Sequence, residues 1–348
     1  MPSLAFVVPG PIDTATGGYR YDRQIVAELR RIGWGVDVHE LPARFPFPDA
    51  GALDAARRTF ERLPEGALVL VDGLAFGVLA DVAAPHATRL RIAALVHHPL
   101  HAETGLDAPA QHRLFDAERR ALALARRVFV TSEATASMMV ASGLVTARPC
   151  VVVPGTLRAP LRPRRDDAHT RLLCVATLTP RKAHALLLDA LAPLRDLPWT
   201  LTCVGSTVMH PPTTEAVQER IARLGLAARV RLHGECDPDA LRALHLESDV
   251  FVLASGFEGY GMAVAEALAQ GVPVIASRTG AAEALVQDAG LLVAPGDGPA
   301  LTEALRQMLS DSARRETFAT RARVRAGTLP RWEDSARRLA RELARCAA

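Results

Sequence analysis

Short apolar runs closed by Gly, Pro, Asp or Ser alternate along this chain with longer stretches in which apolar positions recur every three or four residues. The first kind reads as strands and the second as helices. The runs are LAFVVP at 4–9, GVDVHEL at 35–41, ALVLVDG at 67–73, RIAALVHH at 91–98, RVFVTS at 127–132 and CVVVPG at 150–155, with helical stretches at 19–33 and 113–127. That alternation is the βαβ rhythm of a parallel sheet. Between Gly155 and Thr170 it lapses into a stretch with two prolines, four arginines and no period, which predicts an exposed hinge over 158–170. The rhythm then resumes with runs at 171–178, 199–206, 229–234, 249–255, 272–277 and 290–295, each followed by a helical stretch. The expected architecture is α/β, with a doubly wound domain over 1–157, a second over 171–328, and a helix within 329–348 that packs back toward the first. Two such domains facing each other would gather the loops at the carboxyl ends of both sheets around one cleft, where ligands bind in doubly wound sheets.

Composition narrows the class. At 348 residues and 49% apolar, the chain can build two cores. Its net charge is only +3, and residues 1–160 hold 17 Arg against 16 Asp and Glu, so nucleic acid is not an expected partner. No window offers about eighteen apolar residues without charge. The first residues lack the basic flank of a signal peptide and read as a strand, so a cytoplasmic location is expected. The five cysteines, at 150, 174, 203, 236 and 346, are odd in number and share no C-x-x-C spacing. Cys174 and Cys203 lie in strand runs where a thiol acts as a small hydrophobe, and neither a disulfide nor a structural zinc is expected.

Two segments concentrate chemistry. Of 41 basic residues only Lys182 is a lysine, and it follows a strand run in TLTPRKAH at 177–184. An ammonium is a compact point charge where guanidinium is a flat fork, so a site that places one cation on a small oxyanion can require lysine. The second segment, SGFEGYGMAVAEALAQG at 255–271, reads as a strand end, a glycine-punctuated loop and a helix stopped by Gly271 and Pro273. Glycines at 256, 259 and 261 let the main chain approach a ligand, and the free N–H groups of the helix suit phosphate. Glu258 and Glu266 would repel phosphate and suit hydroxyls, as on a sugar or ribose.

The pattern EGYGMAVAE at 258–266 resembles the E-x7-E signature of the retaining glycosyltransferases of family 4, the glycosyl transferases group 1 type, whose GT-B architecture is two facing Rossmann-like domains. CVATLTPRKAH at 174–184 is similar to the family's phosphate-binding loop, and VVVPGT at 151–156 and GGYRY at 17–21 are similar to its linker approach and amino-terminal glycine loop. By this resemblance Glu266 would hold the ribose hydroxyls and Glu258 would face the transferred sugar. The backbone of Gly259, Tyr260, Gly261 and Met262 would hold diphosphate and sugar hydroxyls, and Lys182 would take the family's phosphate lysine. The chain departs where the family carries a loop arginine, here Thr177, and a glycine after the lysine, here Ala183; Arg181 could supply the missing charge. In the first domain Gly18 would approach the donor, His97 would correspond to the family's histidine near the reacting sugar, and Tyr19, Arg20, His98 and Glu103 are candidates for the acceptor. A zinc site from His97, His98, His101 and Glu103 matches no common ligand spacing and is not expected. Asp237 and Asp239 have D-x-D spacing but are expected to cap the helix that follows.

The resemblance implies transfer of a hexose from a UDP- or GDP-sugar to a hydroxyl acceptor, which could be a glycan, a lipid-linked or a small molecule, with retention and with neither cofactor nor metal. A nucleotide-sugar epimerase of the same architecture should lack the glutamate pair, and a dinucleotide oxidoreductase would need an early G-x-G-x-x-G. Thr177 and Ala183 keep open a catalytically degenerate nucleotide-sugar-binding subunit. The stretch 113–127 carries five arginines around Leu114, Phe115, Leu122 and Leu124, which admits a peripheral contact with the inner membrane face; a core-packed helix with a solvated face is the preferred reading.

Overall fold

The computed structural model describes residues 1–157, 159–163 and 169–347. These divide into two units, one of Met1–Gly155 joined by the chain from Pro330 onward, the other of Thr156–Leu329. In the first unit the order is β1 (Ser3–Pro9), α1 (Gly17–Arg31), β2 (Gly35–Leu41), α2 (Ala50–Arg62), β3 (Leu68–Asp72), the short α3 (Gly73–Phe76) and α4 (Ala80–Ala83), β4 (Arg91–Val96), α5 (Ala108–Leu122), β5 (Arg127–Val130), α6 (Glu133–Ala141) and β6 (Cys150–Val151). The second unit continues with β7 (Thr170–Val175), α7 (His184–Leu191), β8 (Trp199–Val204), α8 (Pro211–Arg223), β9 (Val230–Gly234), α9 (Pro238–Glu247), β10 (Val250–Leu253), α10 (Met262–Ala269), β11 (Val274–Ser277), α11 (Ala282–Val286), β12 (Gly290–Val293), α12 (Gly298–Ser310) and α13 (Ser312–Ala326). Then α14 (Trp332–Ala347) returns to the first.

Each unit holds a six-stranded parallel sheet, in the orders β2-β1-β3-β4-β5-β6 and β12-β11-β10-β7-β8-β9. Central strands such as LVLVD of β3 and VFVL of β10 are buried at every position, as a parallel sheet covered on both faces requires. In each order the chain reverses direction at one place, between β1 and β3 and between β7 and β10. Crossovers leave in opposite senses there, so the loops at the carboxyl ends of those strands part and leave room for a ligand. Both segments singled out for chemistry in the second unit, the loop after β7 and the loop after β10, meet at such a point.

The structure amends several expectations. Helices α2 and α6 have no counterpart in the strand-and-helix reading. The core side of α2 is made of Ala52, Ala56, Thr59 and Phe60, so small residues blur its period, and α6 has no amphipathic stripe. The stretch expected as a helix over 113–127 is helical only to Leu122, because Arg127 begins β5. Leu114 and Leu122 are buried, and Phe115 and Leu124 are partly buried against the core of the first unit. No helix among the described residues is long and apolar enough to cross a membrane. Of the expected hinge, 158 and 164–168 lie outside the described residues, and Arg162 is buried rather than exposed. Its N–H donates to the Gln270 carbonyl at 2.7 Å and its guanidinium lies 3.6 Å from Asp249. In α14, Trp332, Ala336, Leu339 and Leu343 are buried; Trp332 meets Tyr21 edge-on at 5.6 Å, and the Ser335 hydroxyl donates to the Val153 carbonyl at 2.7 Å.

Candidate active site

In the second unit β7 and β10 are neighbours, with Leu172 beside Val250 and Leu173 beside Phe251. The loop after β7 is built by main-chain hydrogen bonds. Ala176 N–H donates to the Val204 carbonyl at 2.8 Å and Leu178 N–H to the Ser206 carbonyl at 3.0 Å, and a 3-10 turn follows over Pro180–Lys182. The loop after β10 is tied to it, since Gly256 N–H donates to the Arg181 carbonyl at 2.8 Å and the Arg181 guanidinium to the Phe257 carbonyl at 2.9 Å. Two segments 76 residues apart thereby present one ion pair: the Lys182 ammonium donates to the Glu258 carboxylate at 2.5 Å. Both side chains are mostly buried, at 16% and 14% exposure. Burial alone would raise the Glu258 pKa, but the Lys182 and Arg181 charges outweigh it and hold the carboxyl below its usual range.

Gly261, at φ 92°, caps α10, whose first residue is Met262, so the N-terminal N–H groups of the helix open beside this pair. Glu258, Tyr260, Gly261, Ser277 and Thr279 line a common hollow. The hydroxyls of Ser277 and Thr279 are buried there without a protein partner. Tyr260 is buried, and that burial pushes its phenol up to about 12. Gly259 lies against the next loop, its carbonyl 3.0 Å from the point where a Gly280 Cβ would stand. Glu266, one turn inside α10, is half-buried. Asp237 has the expected capping role, its carboxylate accepting from Asp239 and Ala240 N–H at 2.9 and 2.8 Å.

The corresponding point of the first unit gathers a second cluster. The His97 ring nitrogen Nε2 lies 3.0 Å from Asp22 on α1 and 3.3 Å from Asp72 at the end of β3. Gly18 makes the close approach possible, because a Cβ there would lie 3.2 Å from the imidazole, and Tyr21 packs edge-on to the ring at 5.1 Å. Burial opposes a charged imidazole, yet the two carboxylates outweigh it and push His97 up to about 10; burial pushes Asp22 up to about 7. Tyr19 is half-buried near the same carboxylates, and burial followed by their charge raises its phenol. Of the other acceptor candidates, Arg20 is half-buried in the first turn of α1, and His98 lies 3.7 Å from Glu103. Tyr21, grouped with the site loops by sequence, is a core residue whose hydroxyl donates to the Val152 carbonyl at 3.0 Å.

A family model described as glycosyl transferases group 1 matches residues 162–325, nearly all of the second unit. The second unit is similar to that family over nearly its whole length. It is 26% identical over 329 residues to an MMP alpha-(1->4)-mannosyltransferase of Mycolicibacterium hassiacum, covering 86% of this chain and 77% of that one. It is 32% identical over 197 residues to a D-inositol 3-phosphate glycosyltransferase of Corynebacterium urealyticum, covering 53% of this chain and 46% of that one. The whole chain superposes on a sucrose-phosphate synthase from Thermosynechococcus elongatus with a TM-score of 0.84, at 22% identity and 99% coverage of both. It superposes on the Anabaena protein Alr3699/HepE, solved with UDP-glucose, with a TM-score of 0.78 at 20% identity, covering 99% and 100%. These likenesses assign the GT-B fold, two Rossmann-like units each built on a parallel sheet.

The departure at Ala183 from the family's loop has a physical description. The residue takes φ 51° and ψ 39°, a left-handed conformation in which a Cβ crowds the following carbonyl and which glycine adopts without strain. Ala183→Gly is expected to stabilise the second unit by about 1 kcal/mol, a rise of a few degrees in its melting temperature. An unchanged or lower value in calorimetry would show that the loop carries no such strain. Sequence reasoning passed over Ser277, Thr279, Gly280, Asp22 and Asp72. The available signal for the first three was a Thr-Gly pair just past a strand end, meaningful once β11 is placed beside β10.

The His97 cluster predicts a pH dependence. Folding raises the proton affinity of His97 and of Asp22, so the folded state binds more protons than the unfolded one and stability falls as pH rises. Asp22 acts between its ordinary value of 3.8 and about 7, and His97 between 6.5 and about 10. Urea midpoints of the first-unit transition should fall from pH 7 to pH 10, and Asp22→Asn should flatten that fall. Equal slopes in the two proteins would mean that Asp22 does not hold the imidazolium.

Proposed function

We propose that this protein is a retaining hexosyltransferase in which the second unit binds a nucleotide-diphosphate sugar and the first takes the hydroxyl acceptor. The observation that carries the reading is the Lys182–Glu258 pair at the β7/β10 reversal, beside the N-terminus of α10. A cation and a helix N-terminus aimed at one point suit a diphosphate, and a carboxylate next to them suits the hydroxyls of the sugar it carries. The incoming diphosphate would take the ammonium over from Glu258, freeing the carboxylate to accept sugar hydroxyls.

In the transfer the bond from the anomeric carbon to the diphosphate oxygen breaks and a bond to the acceptor oxygen forms on the same face, while the acceptor's proton passes to the departing diphosphate. The protein's part is to position two substrates and to stabilise negative charge on the leaving group, through Lys182, Arg181 and main-chain N–H groups of Gly259 to Met262. This chemistry asks for neither a protein nucleophile nor a metal at the reacting atoms. Glu266 would hold the ribose. Gly18 and His97 would meet the donor sugar from the first unit, and Tyr19, Arg20, His98 and Glu103 the acceptor. The names of the curated relatives, which act as mannosyl- and glycosyltransferases, support the transfer, and the neighbour solved with UDP-glucose supports a nucleotide sugar. Thr177, standing where the family carries arginine, favours a second reading as a donor-binding subunit without turnover.

Thermal unfolding against saturating UDP-, GDP-, ADP- and TDP-sugars tests the reading. A ligand at about a hundred times its dissociation constant adds about 2.7 kcal/mol, a shift of several degrees. One nucleotide should give the shift and Glu266→Ala should lose it. No shift with any of the four sinks the donor site, and a shift without sugar transfer to any acceptor supports the binding subunit.

A further inference from the structure

Behind the Lys182 loop lies a side-chain cluster that the transfer chemistry does not use. Cys174 on β7 and Cys203 on β8 are register partners in the parallel sheet, so both thiols point to the same face. His184, the first residue of α7, brings its imidazole over them, with Nε2 3.8 Å from the Cys174 sulfur. All three side chains are buried, at 1%, 3% and 2% exposure, and one ligand atom from each lies within 4.8 Å of the others. Sequence spacing concealed the group, because residues 174, 184 and 203 share no short motif and meet only through the β7–α7–β8 crossover.

We propose that Cys174, Cys203 and His184 form a structural site for one thiophilic divalent ion of the zinc class. Tetrahedral zinc with sulfur at about 2.3 Å and nitrogen at about 2.0 Å places its ligands roughly 3.5 Å apart, close to the 3.8 Å between the Cys174 sulfur and His184 Nε2. The charge balances: two thiolates neutralise the dication, a neutral imidazole is the third ligand and a water retained by the ion is the fourth, so a buried site holds no net charge. Binding forms two metal–sulfur bonds and one metal–nitrogen bond, and it releases the Cys174 and Cys203 protons to solvent. A filled site would fasten β7, β8 and the start of α7 at one point, next to the left-handed Ala183 and the turn that carries Lys182.

The test uses the reduced full-length chain and Co2+ or Zn2+ as the probe. Wild-type protein should bind one zinc per chain by elemental analysis, and Co2+ should give a thiolate-to-metal charge-transfer band of matching stoichiometry. Cys203→Ala and His184→Gln should each weaken Co2+ binding at least about tenfold, removal of a ligand being no milder than loss of an outer-shell partner. Cys236→Ala, outside the cluster, should leave the band unchanged. Two substitutions of different size guard against a variant that fails to fold. Absence of a charge-transfer band, or a band that survives both ligand substitutions, would overturn the site and leave the thiols as packing groups.

Discussion

Lys182→Ala is expected to lower the turnover of sugar transfer by about 100- to 1000-fold, the loss seen when one donor to a developing oxyanion is removed. The size of the effect follows from where the ammonium sits. It is 16% exposed, and the half-buried Arg181 beside it already has its guanidinium engaged with the Phe257 carbonyl, so Arg181 shares the stabilising role without replacing the ammonium. The substitution also leaves the Glu258 carboxylate buried without its partner, and Glu258 should then take up a proton at higher pH. Lys182→Arg separates charge from shape. The guanidinium keeps the charge but spreads it over a planar fork, and a rate well below wild type is expected. Steady-state kinetics with the donor found by thermal shift make the comparison. A Lys182→Ala enzyme within threefold of wild type would remove the ammonium from the reaction and leave the single lysine as an accident of composition.

Gly280→Ala carries the other large effect. Gly280 follows β11 at φ 54°, and a Cβ there would stand 1.7 Å from the Glu258 carbonyl oxygen and 3.0 Å from that of Gly259. Backbone cannot yield as the end of a flexible side chain can, so the two loops must move apart, and the displaced segment is the one that carries Glu258 into the site. A loss on the order of 3 kcal/mol is expected, from overpacking with the left-handed conformation added to it. Donor-induced stabilisation should vanish with it. Gly256→Ala is the matched control, because a Cβ at that position meets nothing closer than the Arg181 carbonyl at 3.7 Å. Denaturant unfolding of both variants, with and without donor, decides the matter: equal stabilities would mean that the Gly280 loop does not hold the Glu258 loop in place.

The pattern of apolar runs was enough to place the strands of both sheets, because a strand buried on both faces must be apolar along its length and its ends must turn with Gly, Pro or Asp. It was enough for α10 as well, whose glycines and following proline mark both ends. Where the core side of a helix is made of alanine, as in α2, or lacks a stripe, as in α6, the same pattern carries no signal.

What the linear chain determined by itself was therefore the local chemistry: two doubly wound units, a lysine loop, and a glutamate loop leading into a helix. Which of these groups touch was decided by strand order. Lys182 meets Glu258 across 76 residues and His97 meets Asp22 across 75 because β7 lies beside β10, and β3 between β1 and β4. Cys174 meets Cys203 because β7 and β8 pair in register. Contacts of that kind depend on the closure of long crossovers by burial of both sheet faces, a free energy summed over the whole unit and written in no single segment.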